Sequence, residues 1–82
     1  MDTFYALRLA FEALKDGGIK PTVFNSADEA AVELFMKGKL SYLGISEAIE
    51  KAMREIKNID NPDIDTIFET DRLAREIVYS FS

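Results

Sequence analysis

Apolar residues return at helical spacing in four stretches of this 82-residue chain, and no two stretches show the alternation that paired strands require. In the first, residues 3–16, Phe4, Leu7, Ala10, Phe11 and Leu14 share one stripe, which is expected to face the core. Asp2 or Thr3 can cap its start. Gly17-Gly18 stops it, with the backbone freedom that a left-handed turn needs. Pro21 disfavours helix at Lys20, so residues 19–25 read as an extended, buried connection. Thr22-Val23-Phe24 alone could pass for a strand, but it has no second strand to pair with.

The next stretch opens on Asn25-Ser26-Ala27-Asp28-Glu29. Ser26 is the expected N-cap and Glu29 completes a capping box by reaching back to the Ser26 N–H. Asp28 and Glu29 also place negative charge at the positive end of the helix dipole. This second helix covers about residues 26–37, with Ala30, Ala31, Leu34 and Phe35 inward, Val32 and Met36 flanking, and Gly38 at its end. Leu40, Tyr42, Leu43 and Ile45 are too apolar to be left in water, so they read as a connection packed onto the core. A third helix is expected over residues 46–57, capped by Ser46, with Ile49, Ala52, Met53 and Ile56 on one face. Asn58-Ile59-Asp60-Asn61-Pro62-Asp63 has turn composition. A fourth helix starts at Asp63 or Asp65 and runs almost to the end, carrying Ile64, Ile67, Phe68, Asp71, Ala74, Arg75 and Val78 around its face. The expected fold is all-α: one domain over residues 1–82, an antiparallel helical bundle of about four helices with one packed apolar connection.

Composition narrows the chemistry. A hydrophobic share of 48% suffices for a core and argues against disorder, yet so short a chain buries little and leans on a partner for stability. The net charge of −5, without any polybasic run, argues against nucleic acid and against anionic membranes. Cys and His are both absent, which removes thiolate nucleophiles, zinc–sulfur sites and the commonest general base. No apolar run approaches the roughly 20 residues that span a bilayer, and the N-terminus lacks the pattern of a secretory signal. The expected compartment is the cytoplasm, or the plastid in a plant or alga.

Three features invite a functional reading. Glu29 and Glu33 lie one turn apart, as a cation-binding or proton-sharing pair would; a capping residue followed by a solvated one explains them more simply. In Thr70-Asp71-Arg72-Leu73-Ala74-Arg75-Glu76, Asp71 can meet Arg75 and Arg72 can meet Glu76 at i,i+4. These are either surface pairs or, for Asp71 and Arg75, a partly buried pair holding the helix against another element. The end, Ile77-Val78-Tyr79-Ser80-Phe81-Ser82, is apolar on more than one side, as either a docking patch or ordinary core packing would be. Gly17-Gly18 is not a phosphate loop, because it follows a helix and lacks the accompanying Lys.

Four motifs, in order, resemble the C-terminal region of the 1-deoxy-D-xylulose 5-phosphate reductoisomerases. Ala6-Leu7-Arg8-Leu9-Ala10-Phe11-Glu12-Ala13 is similar to that family's Ala-Leu-x-Leu-Ala-Tyr-Glu-Ala. Residues 25–32 resemble its Asn-Ala-Ala-Asn-Glu-Val-x-Val, with Ser26, Asp28 and Ala30 in place of Ala, Asn and Val. Phe35-Met36-Lys37-Gly38-Lys39-Leu40 resembles Phe-Leu-x-Gly-Lys-Ile, and residues 71–76 resemble Asp-x-x-Ala-Arg-Glu. Tyr5 stands where a Pro often precedes the first helix.

The resemblance implies a parent enzyme that converts 1-deoxy-D-xylulose 5-phosphate to 2-C-methyl-D-erythritol 4-phosphate with NADPH and Mg or Mn, for isoprenoid precursors. The family's Rossmann loop, metal ligands and substrate-contacting Asn-Lys-x-x-Glu segment have no counterpart here. No catalytic, cofactor or metal residue is therefore assigned. The expected role is a non-catalytic domain docking on the catalytic and NADPH-binding domains of its enzyme, through Asn25, Asp28, Glu29, Asp71 and Arg75. An orphaned docking face could instead self-associate. The alternatives are a free-standing helical interaction module and a small carboxylate-based enzyme or metal binder.

Overall fold

The computed structural model describes residues 3–81, with side chains from Tyr5 onward; four α-helices and no strand occur among the described residues. They are α1 (Thr3–Asp16), α2 (Lys20–Met36), α3 (Tyr42–Glu55) and α4 (Ile64–Tyr79). The all-α bundle is as expected. So are the span of α1 and the start of α4, where the Asp63 side chain accepts from the Thr66 N–H at 2.7 Å. Asp2, the other expected cap of α1, lies outside the described residues. No helix among the described residues is long and apolar enough to cross a membrane.

α2 departs from expectation. It begins at Lys20, so residues 20–25 are helical and the extended connection does not exist. Pro21 falls in the first turn, where a missing N–H leaves no bond unmade and a fixed φ already suits a helix. Burial rewards the longer helix, because Ile19, Val23 and Ala27 are all fully enclosed. Ser26 and Glu29 therefore lie inside α2, and the capping box does not form.

α3 likewise starts before its expected cap. Ser41 is the N-cap, accepting from the Gly44 N–H at 2.9 Å, and the helix ends at Glu55. Ser46 is buried within it. The earlier start turns Gly44, Ser46 and Ala48, all small, inward. Leu40 folds tightly over Gly44, where an added Cβ would lie 2.8 Å from Leu40 Cδ1. Leu40 and Ile45 pack on the core as expected, whereas Tyr42 and Leu43 stay exposed on the first turn of α3.

The faces of α1 and α4 also differ. Leu9 and Ala13 are the core residues of α1, while Leu7, Phe11 and Leu14 are 48, 63 and 69% exposed; the Phe4 side chain lies outside the described residues. The Tyr5 hydroxyl donates to Glu50 of α3, which fixes this rotation. In α4, Thr70, Ala74 and Val78 are buried, while Ile64, Ile67 and Phe68 face outward. At the other end, Ile77 and Phe81 pack against the core. Both helices carry apolar residues on two sides, so periodicity alone could not choose which side is covered.

α2 touches each of the other three helices, and α1 does not reach α4. The start of α2 lies at the end of α3, where Lys20 Nζ donates to the carbonyls of Met53 and, at 2.9 Å, Ile56. These two helices therefore run antiparallel. The α1–α2 corner is clamped by the α3–α4 connection: Asn58 Oδ1 accepts from the Ile19 N–H at 3.0 Å and the Ile59 N–H at 2.9 Å. Gly17 and Gly18 make that corner at positive φ, and a Cβ on Gly18 would sit 2.5 Å from the Ile59 carbonyl oxygen.

Candidate functional site

α2 and α4 run side by side in the same direction, because their polar contacts climb in step. The Ser26 hydroxyl donates to Asp71, Arg75 donates to Glu29 at 2.7 Å, and the Tyr79 hydroxyl donates to Glu33 at 2.8 Å. Asp71 and Arg75 also meet within α4 at 3.0 Å. On α4 these groups recur every fourth residue at 71, 75 and 79; on α2 they fall at 26, 29 and 33. Both spacings keep them on one edge of a helix. The result is a continuous polar seam along the edge where the two helices meet.

The electrostatics follow from these bonds. The Ser26 hydroxyl, aided by the Arg75 guanidinium, holds the Asp71 carboxyl below its usual range, against the opposing effect of burial. Tyr79 and then Lys37 lower Glu33, and the carboxylate of Glu33 in return raises the Tyr79 phenol. The hydrogen bonds that Arg75 donates to Glu29 and Asp71 hold its guanidinium firmly protonated. Such a seam fixes position. No group of three or more His, Cys, Asp or Glu among the described residues could hold a metal ion.

Of the five residues singled out from the sequence, Glu29, Asp71 and Arg75 are brought together. The Asp71–Arg75 pair is the partly buried one, holding α4 against α2; Arg72 pairs at the surface with Glu76 and with Glu69. Glu29 lies inside α2 and caps nothing, whereas Glu33 is solvent-exposed as expected, and both carboxylates bond across to α4 from the surface. Asn25 is exposed and lines a shallow groove of about 400 Å3 with Pro21, Thr22, Ile67 and Phe68, at the upstream end of the seam. Asp28 stands apart. It is half-buried, and among the described residues its side chain has no hydrogen-bond or ion-pair partner. Burial, and next the charge of Glu29, push its carboxyl upward. Ser26 and Tyr79 were missed as seam residues. The usable signal was the spacing of Asp71, Arg75 and Tyr79 against Ser26, Glu29 and Glu33.

Known proteins match nearly the whole chain. A family model described as the DXP reductoisomerase C-terminal domain matches residues 1–77. The 1-deoxy-D-xylulose 5-phosphate reductoisomerase of Thermoanaerobacter pseudethanolicus is 49% identical over 76 residues, covering 93% of this chain and 20% of that protein. The reductoisomerase of Halalkalibacterium halodurans is 44% identical over 80 residues, 98% of this chain and 21% of its own. That of Acetivibrio thermocellus is 47% identical over 78 residues, 95% and 20% respectively. The chain thus spans about a fifth of the length of these relatives.

Proposed function

The chain belongs to the DXP reductoisomerase C-terminal domain family, and from that membership we propose that it is a non-catalytic docking domain. It supports the catalytic and NADPH-binding parts of an enzyme that makes 2-C-methyl-D-erythritol 4-phosphate from 1-deoxy-D-xylulose 5-phosphate. NADPH and Mg or Mn belong to those other parts, and the compartment is the cytoplasm. The observation that carries this reading is the α2–α4 seam. Its charged groups are spent on one another, so they hold a rigid platform rather than a reaction centre. Asn25 and Asp28 remain on the outer side of α2 to meet a neighbour. Glu29, Asp71 and Arg75 take part by fixing the two helices that present them.

The test uses the Thermoanaerobacter reductoisomerase shortened by its matching fifth. Adding this chain is expected to give a stable complex and to raise NADPH-dependent turnover of 1-deoxy-D-xylulose 5-phosphate. This chain alone is expected to show no turnover. Turnover by the isolated chain at an ordinary enzymatic rate would overturn the non-catalytic reading. Failure both to bind and to support the shortened enzyme would favour a free-standing interaction module.

A further inference from the structure

α1 is apolar on both sides, and the bundle covers only one of them. Leu9 and Ala13 face the core, while Leu7, Phe11 and Leu14 form a second stripe at i, i+4 and i+7 that points away from it. The charged residues of the helix, Arg8, Glu12, Lys15 and Asp16, lie outside this stripe. Tyr5, Glu12 and Asp16 face α3. At about 100° of turn per residue, the Leu7–Leu14 edge of the stripe therefore swings toward the outer side of α2, where Asn25 and Asp28 lie.

The geometry points to the Leu7–Phe11–Leu14 face of α1 as the surface that packs against the rest of the reductoisomerase polypeptide. This rests on the docking reading above and names the apolar part of its interface. The length of polypeptide outside this bundle in its relatives selects the occupant. In the relatives, about four-fifths of the polypeptide lies outside the matched part, and the matched part is described as C-terminal. In those relatives the remaining domains therefore join through the start of the segment that matches α1, the helix that carries the uncovered stripe.

The chain contains no Cys, which allows a direct test. Phe11→Cys is placed in the 82-residue chain and in a chimera that carries this chain in place of the matching fifth of the Thermoanaerobacter enzyme. Lys39→Cys, exposed and unpaired, is the reference. Labelling by a maleimide is read at each site by mass spectrometry, after circular dichroism shows that both variants fold. In the isolated chain the two sites are expected to label at similar rates; in the active chimera Phe11→Cys is expected to label at least ten-fold more slowly than Lys39→Cys. Equal labelling in an active chimera would overturn the α1 assignment and leave the docking reading standing. A chimera that folds but neither turns over substrate nor unfolds as one unit would overturn the docking reading itself. Protection of Phe11→Cys already in the isolated chain, with a dimer in sedimentation, would assign the face to a second copy.

Discussion

The Ser26 hydroxyl donates to the Asp71 carboxylate from the middle of α2, although Ser26 is only 1% exposed and α2 has no need of it as a cap. A serine in a helix interior contributes little to the helix itself, so its value here is the bond across to α4. Ser26→Ala is expected to lower stability by about 1 kcal/mol, the loss of one hydrogen bond to a charged partner that keeps Arg75. Ser26→Asp is expected to cost about 3 kcal/mol or more by burying a second carboxylate against Asp71. At a helix N-cap the same change would be close to neutral. Urea unfolding of the three proteins checks the difference.

Arg75 bonds two carboxylates on different helices, and its side chain is 30% exposed. Solvent screening keeps each pair modest, yet the planar guanidinium serves both at once. Arg75→Ala is expected to destabilise by about 1–2 kcal/mol, and Arg75→Lys to recover only part of that loss. A double-mutant cycle with Glu29→Ala should return a coupling of about 0.5–1 kcal/mol. A coupling near zero would remove Glu29 from the seam.

Asp28 is half-buried without a partner, and its carboxyl is pushed upward by burial and then by Glu29. Its charge therefore opposes folding at neutral pH. Asp28→Asn keeps the shape and removes the charge, so the isolated domain should gain up to about 0.5 kcal/mol, the usual scale for a surface change. The gain should vanish when denaturation is followed below pH 3, where the wild-type carboxyl is also neutral. In the full enzyme, a loss of activity from the same change would place the Asp28 charge in the interface.

Acid should weaken the domain through Asp71, Glu33 and Asp63, each held below its ordinary value of 3.8, 4.5 and 3.8 by hydrogen bonds. A depressed carboxyl contributes stability above its unfolded pKa and loses it as pH falls through the folded one. Asp28 has the opposite sign, losing stability as pH rises. Three groups oppose one, so the urea midpoint should fall as pH drops below about 4.5 and continue falling toward pH 2. Ser26→Ala removes the leading cause of the Asp71 shift and should flatten that decline.

Gly17 and Gly18 both have positive φ, but only Gly18 lies against the Asn58–Ile59 backbone and side chain. Gly17→Ala should cost about 1 kcal/mol, from the left-handed backbone alone. Gly18→Ala should cost at least twice as much, because its Cβ would overlap the Ile59 carbonyl and Asn58 Oδ1, forcing the clamp on Ile19 open. Equal thermal shifts for the two variants would exclude that clamp.

Sequence alone determined that the chain is helical, roughly where the helices stop, and which family it resembles. Those are local properties: Gly17-Gly18, Gly38 and Asn58–Asp63 end helices by their own conformational chemistry, and apolar spacing of three and four needs no partner to be recognised. Two helix starts were misplaced because Ser26 and Ser46 have the chemistry of caps. Whether a serine caps a helix or lies inside one depends on what is buried upstream, here Val23 before Ser26 and Gly44 before Ser46. The Asp71–Arg75 pair was visible as a spacing, but its partners Ser26 and Glu29 belong to a helix more than forty residues away. Only the tertiary structure could set that register. It also chose which side of α1 is covered, because Leu9–Ala13 and Leu7–Phe11–Leu14 are both apolar at helical spacing. Burial is a property of the neighbour as much as of the residue, and the smaller Leu9–Ala13 side lets α1 lie against α2 and α3.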